Sequence, residues 1–212
     1  MLSSLLPWIA GRLARPLPGH DAHLTMAPRY PARRDGLSVR DRDCRDAGVL
    51  LLLLPREDEL AVVLTVRPDH LPDHAGQISF PGGQREHDEA LSDTALREAQ
   101  EEVGLPPDSV RMLGSLTPLY IPPSNFCVHP FVGGLDTALG LRPTDAEVER
   151  VLRVPVAHLL DPNTRKTETR RLDGAAIEVP YYNVAGRTVW GATAMMLAEF
   201  LEVVRDGKAS GE

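Results

Sequence analysis

The chain has 212 residues, 42% of them hydrophobic and 25% charged, and its 23 basic and 30 acidic side chains give a formal net charge of −7. That composition supports a core, one domain with an appendage, and argues against disorder. The longest apolar run, residues 49–54, is far below the roughly twenty needed to cross a bilayer. The acidic balance disfavours a nucleic acid polymer, where Lys and Arg must neutralise many phosphates, but it leaves room for a small phosphate ester.

Residues 1–45 hold five prolines and many arginines without a sustained period, which predicts a short helix and an N-terminal arm, docked or mobile. The remainder, 46–212, is expected to be the functional domain. The first residues lack a basic segment ahead of the apolar stretch and a small-residue cleavage site, so a cytoplasmic protein is expected. The only cysteines, Cys44 and Cys127, are expected to be idle thiols.

From Ala47 the chain reads AGVLLLLLP, a polar turn, then LAVVLTVR. Two strand-length runs rich in Val and Leu predict a hairpin or adjacent strands. Residues 67–83 carry three prolines and three glycines, a long loop of the kind that is usually functional in a compact domain. Residues 89–103 contain neither Pro nor Gly and are followed by Gly104 and Pro106, which predicts a helix with a defined stop. Ala95, Leu96, Ala99 and Val103 share one stripe, and its small alanines imply close approach to a sheet. The later segments VRMLGSLTPLYI, NFCVHPFVGGL, RVLRVPVAHLL and AIEVPYYNV read as strands or short turns, and TVWGATAMMLAEFLEVV as a closing amphipathic helix. The order is mixed α+β, without regular βαβ alternation.

On the helix of residues 89–103, Glu98, Glu101 and Glu102 stand at i, i+3 and i+4 and face together. Like charges at this spacing repel by a few tenths of a kcal/mol, about 0.2–0.5 per pair. A hard divalent cation, Mg²⁺ or Mn²⁺, is the natural compensation, since such ions take carboxylate, phosphate and water oxygens. Gly82 and Gly83 after Pro81 let main-chain atoms approach a metal or phosphate closely. Arg97 is placed to pair with Glu89, fixing the loop against the helix.

From Gly83 the sequence is G-Q-R-E-H-D-E-A-L-S-D-T-A-L-R-E-A-Q-E-E-V-G-L. It resembles the Nudix hydrolase box G-x5-E-x7-R-E-U-x-E-E-x-G-U, where U is apolar. Gly83, Glu89, Arg97, Glu98, Glu101, Glu102 and Gly104 match every fixed position, an agreement expected by chance on the order of once in a million. The resemblance implies a Nudix fold, a mixed β-sheet sandwiched between α-helices with a catalytic loop–helix–loop. It implies Glu98, Glu101, Glu102 and the Gly82 carbonyl as metal ligands, Glu89 and Arg97 as supporting catalytic groups, and hydrolysis of a nucleoside diphosphate derivative. The general base varies within the superfamily, and Glu98, Glu147 and Glu149 are candidates.

Upstream, residues 64–83 read L-T-V-R-P-D-H-L-P-D-H-A-G-Q-I-S-F-P-G-G. This is similar to the second signature of the coenzyme A pyrophosphatase branch, roughly L-L-T-x-R-[SA]-x3-R-x3-G-x3-F-P-G-G. Leu64, Thr65, Arg67, Gly76, Phe80, Pro81, Gly82 and Gly83 fit in register. Val63, Pro68 and Pro72 depart from it, and a Pro in place of Arg removes a bidentate phosphate clamp. The segment V-W-G-A-T-A, residues 189–194, also looks like this branch. The resemblance implies cleavage of coenzyme A, or its thioesters, to 3′,5′-ADP and 4′-phosphopantetheine, with Arg67, Gly76, Phe80 and Gly83 at the substrate. Two alternatives are another Nudix diphosphatase, for ADP-ribose or dinucleoside polyphosphates, and a non-catalytic nucleotide-binding module. The expected partner is a small molecule, with neither membrane nor nucleic acid polymer; a homodimer is left open.

Overall fold

The structure, a computed structural model, describes residues 2–29, 36–70, 76–144, 146–172 and 174–205. Its helices are α1 (Leu2–Leu13), α2 (His20–Leu24), α3 (Leu91–Val103), α4 (Val156–Leu160) and α5 (Gly191–Arg205). Its strands are β1 (Arg45–Arg56), β2 (Glu59–Val66), β3 (Ile78–Ser79), β4 (Gly82–Gln84), β5 (Arg111–Ser115), β6 (Leu119–Ile121), β7 (Phe126–Gly134), β8 (Arg150–Pro155), β9 (Arg165–Leu172), β10 (Ala175–Val184) and β11 (Arg187–Trp190).

The two apolar runs of Val and Leu form a hairpin, β1 and β2, closed at Glu57 and Asp58 with Glu57 at a φ of 53°. β1 is the centre of a mixed sheet ordered β3-β2-β1-β7-β5, parallel to β7 and antiparallel to β2 and β4. Because strand side chains alternate in direction, Leu51 and Leu53 of β1 enter one core and Leu50, Leu52 and Leu54 the other. β2 divides in the same way, with Leu60, Val62, Leu64 and Val66 on the first side and Ala61 and Val63 on the second. The continuous apolar run thus reflects a sheet covered on both faces.

α3 covers the second face through Ala95, Ala99 and Val103, all fully buried. Its close approach rests on Gly48, where a Cβ would strike the Leu91 carbonyl oxygen and lie 3.0 Å from Ala95 N. α5 covers the first face. A second, antiparallel sheet, β11-β10-β9, packs there as well. α1 and α2 join this side, with Leu6, Ile9, Leu13 and Met26 in its core, so the helical parts of the N-terminal arm are docked. Architecturally this is the α+β arrangement anticipated from the sequence, a mixed sheet between helices.

Four local expectations need correction, the first being the closing helix, which starts at Gly191 because residues 188–190 belong to β11. α3 begins at Leu91 rather than Glu89, because Ala90 is extended and Glu89 turns back to the loop. The loop of residues 67–83 contains the short strands β3 and β4; within it, Pro72 lies outside the described residues. Cys44 and Cys127 are not idle thiols but form a disulfide, with Cα atoms 5.8 Å apart across 83 residues. The parallel pairing of β1 and β7, which sets Asp46 opposite Cys127, brings them together. Among the described residues, no helix is long and apolar enough to cross a membrane.

Candidate active site

β4 is hydrogen-bonded antiparallel to the start of β1, with Gly83 opposite Gly48 and Gly82 opposite Val49, and Leu50 N donates to Pro81 O at 2.8 Å. Gly82 has a φ of 152°, and a Cβ there would sit 2.5 Å from Gly48 O and 2.6 Å from Val49 Cα. No other residue fits that crossing of two main chains. At Gly83 a Cβ would lie 2.5 Å from the Glu98 carboxyl carbon. The missing side chain is therefore the space in which the Glu98 carboxylate rests over β4.

Arg97 is the hub of the charged side of α3. Its Nε and Nη2 donate to the two carboxylate oxygens of Glu89, at 3.2 and 3.0 Å. Its Nη1 donates to Glu98 at 3.0 Å and Glu101 at 3.1 Å, and Nη2 also reaches Gln84 O at 3.2 Å. Glu89 further accepts from Glu86 N at 2.9 Å and from the buried Thr94 hydroxyl at 3.0 Å. These donors, Arg97 first and then the Glu86 amide, hold the Glu89 carboxyl at about 2 against an ordinary 4.5. Glu89 in turn raises the Arg97 pKa, fixing it as a cation. Glu98 moves the other way. Burial pushes its carboxyl up, against the pull of Arg97.

The C-terminal end of α3 is tied by a segment the sequence reading did not single out. Gly104 takes the left-handed conformation at φ 67° and ψ 30°. Arg142 N donates to Val103 O at 3.2 Å, Thr144 N to Glu102 O at 3.1 Å, and the Thr144 hydroxyl to Glu101 O at 2.6 Å. These bonds satisfy carbonyls that a helix end leaves open. Asp46 was also missed. It pairs with Arg85 of the loop at 2.9 Å and lies 3.3 Å from His129 Nε2. Both contacts join residues distant in sequence, and local patterning carries no signal of them.

The other candidate residues fall into different environments. Arg67, just past β2, pairs with Glu147 at 2.8 Å, and Glu149 N anchors that segment to Val66 O at 2.8 Å. Gly76, at φ 66°, donates to Arg67 O at 3.1 Å. Phe80 is 2% exposed and packs in the core, so it anchors the loop entering β4.

The structure thus brings Gly83, Glu89, Arg97, Glu98 and Glu101 together, with Glu102 half-buried on the same helix. Among the described residues no three Asp, Glu, His or Cys side chains converge as a ready-made ion site; Arg97 Nη1 sits between Glu98 and Glu101. The donor chemistry nevertheless fits a hard divalent cation. It offers carboxylate oxygens on one helix face, a glycine-lined strand beneath, and no sulfur.

A mixed sheet between helices, carrying a glycine-flanked glutamate helix locked by an arginine, defines the Nudix class. The chain belongs to that family: the NUDIX domain model matches residues 45–172. It is 34% identical over 162 residues to the uncharacterized Nudix hydrolase NudL of Photorhabdus laumondii, covering 76% of this chain and 86% of that one. Similar folds include the Nudix hydrolase RenU of M. smegmatis, with a TM-score of 0.52 and 17% identity over 79% of this chain and 88% of that one. The NUDIX domain of Shewanella oneidensis NrtR, solved with ADP ribose, gives 0.51 and 16%, covering 79% and 90%. The protein is accordingly a Nudix hydrolase acting on phosphoanhydrides, in a family that typically uses a divalent metal and binds small nucleotide-type ligands.

Proposed function

We propose that the protein hydrolyses the pyrophosphate bond of coenzyme A, and of its thioesters, to 3′,5′-ADP and 4′-phosphopantetheine. The observation that carries this reading is the placement of the residues resembling the coenzyme A signature. β3 pairs with the end of β2, Val66 opposite Ile78 and Thr65 opposite Ser79. Arg67 therefore stands where the signature segment leaves β2, and the same segment runs on through β3 and Phe80 into Gly82 and Gly83 under Glu98, so chain continuity supports a shared substrate site. Arg67, with Glu147 orienting its guanidinium, is the proposed phosphate contact. The order W-G-A-T-A at the join of β11 and α5 adds support.

Glu98, Glu101, Glu102 and the Gly82 carbonyl would hold Mg²⁺ or Mn²⁺. The ion supplies charge neutralisation of the diphosphate and a lowered pKa for bound water. The chain itself does the positioning. Glu89 and Arg97 lock the loop of residues 83–90 to α3, and Gly83 leaves the Glu98 carboxylate room to turn. Glu98, whose proton affinity is raised by burial, is the candidate to accept the proton of the attacking water; Glu147 is the alternative, from the loop before β8.

The test is product identification by mass spectrometry after incubation with Mg²⁺ or Mn²⁺ and, separately, coenzyme A, ADP-ribose, NADH and a diadenosine polyphosphate. The expected result is 3′,5′-ADP with phosphopantetheine, formed well ahead of the other products. Preferential cleavage of ADP-ribose or a dinucleotide would overturn the substrate while leaving the box reading in place. Glu98→Gln and Glu102→Gln are expected to lower turnover by several orders of magnitude with an unchanged melting temperature; wild-type turnover in both would remove the metal-site assignment.

A further inference from the structure

On the side of the sheet away from α3 lies a cavity of about 660 Å³, within the range of small-molecule sites, roughly 300–1,000 Å³. Three separate parts of the chain build it: the N-terminal arm at Arg29, the corner from α4 into β9 at Asp161, Arg165 and Lys166, and the last turn of α5 at Arg205. Tyr182 of β10 forms part of the wall. None of these residues belongs to the Nudix box or to the loop before it.

The lining carries four cations and one carboxylate in a protein whose net charge is −7. The carboxylate of Asp161 keeps its charge, with Oδ1 accepting from Asn163 N and Nδ2, both at 2.9 Å, and capping the 3₁₀ turn Pro162–Thr164. Two of the cations already have partners in the fold. Arg165 Nη2 donates to Thr25 O, and Arg29 Nη1 is neutralised by Glu178 at 2.9 Å, both side chains of that pair being exposed. Lys166 and Arg205 form no salt bridge among the described residues. Tyr182, 5% exposed, feels the positive field of both Arg165 and Arg205. All four cations are exposed; with Asp161 and Glu178 counted against them, the group keeps a surplus of two positive charges (4 − 2), which a bound anion would offset.

The geometry points to a second ligand site in this cavity, for a compact phosphate-bearing anion, separate from the hydrolytic centre. Guanidinium groups clamp phosphate oxygens in pairs, and the lysine adds a mobile point charge. The overall negative charge and the small extent of this open pocket favour a small multiply charged anion over a long nucleic acid. The phosphate belongs either to an inorganic oligophosphate or to the end of a nucleotide, the apolar wall from α4 serving the second. Since Arg29 lies in the docked arm, Arg165 bonds to that arm at Thr25 and Arg205 ends α5, the bound anion ties the arm and α5 to the corner between α4 and β9.

The test is calorimetric titration of the full chain with inorganic pyrophosphate and, in a separate arm, ADP, in EDTA so that no divalent ion recruits phosphate to the glutamate face. Saturable binding to one site is expected, unchanged in Glu98→Gln and weakened about tenfold or more in Lys166→Ala/Arg205→Ala, as loss of two charge-assisted contacts requires. ADP binding more tightly than pyrophosphate identifies the nucleotide as the source; equal or weaker binding identifies the inorganic anion. Should the double variant lose its native melting temperature, Lys166→Glu, an exposed single change, takes its place with the same expectation. No saturable binding by the wild type, or equal affinity in the charge variants, would overturn the site.

Discussion

Two adjacent glycines in β4 do different physical work, and substitution separates them. Gly82→Ala forces a positive φ on alanine and drives its methyl into the main chain of β1, so a loss of stability of about 1–3 kcal/mol is expected. Gly83→Ala meets the Glu98 carboxylate first, a side chain that can swing away. There the melting temperature should barely move while hydrolysis collapses; equal melting losses in the two variants would contradict this division. Glu89 gives a pH signature. Its folded-state pKa of about 2 lies below the ordinary 4.5, so its stabilisation is complete above pH 4.5 and is lost as pH falls toward 2. Urea unfolding of wild type and Glu89→Gln should therefore differ most near neutral pH and converge in acid. A difference that stays constant down to pH 3 would show that Glu89 does not titrate as described.

At the scale of elements, α5 and the N-terminal arm are joined by a buried polar knot. Glu199, fully buried, accepts from Gly19 N at 3.0 Å, Thr117 N at 3.0 Å and the Thr117 hydroxyl at 2.6 Å, with His23 Nε2 at 2.9 Å. Burial pushes the Glu199 carboxyl up, but His23 and Thr117 outweigh it and the net pKa is lowered. The knot therefore stabilises fully above the ordinary carboxylate range and weakens as pH drops through the lowered value. Glu199→Leu strands several buried donors and is expected to cost about 3–5 kcal/mol, read as a lower denaturant midpoint; a midpoint equal to wild type would mean the arm docks by apolar contacts alone. The sequence concealed this knot because Glu199 occurs in an ordinary helical pattern and its partners are 82 to 180 residues away. β9 was hidden for a related reason. Its sequence RKTETRRL is polar almost throughout, since strand pairing to β10 rather than apolar burial defines it. The glutamate face of α3 was legible because its spacing is local. The hub role of Arg97 was only half legible: its bond to Glu89 follows from the box, whereas its hold on Glu98, Glu101 and Gln84 depends on where β4 lies.

The whole molecule is organised around β1, which carries β4 and the active-site loop on one side and β7 on the other. The Cys44–Cys127 bridge closes the entrance to this strand, next to Asp46 and its bond to Arg85. Spanning 83 residues, such a link restricts the unfolded chain by about 4.5 kcal/mol at most in the chain-entropy view, with about 2–4 kcal/mol usually realised. The folded site depends on it less. β4 remains fixed by its ladder to Ala47, Gly48 and Val49, by Leu50 N to Pro81 O, and by Arg85 N to Asp46 O at 2.9 Å. Reduction, or the pair Cys44→Ser and Cys127→Ser, should therefore lower the urea midpoint markedly while turnover at 25 °C changes less than about twofold, because the link acts mainly on the unfolded ensemble. If instead turnover falls with the midpoint unmoved, the bridge acts on the loop through Asp46 and Arg85, and the molecule senses its redox surroundings at the site rather than in its stability.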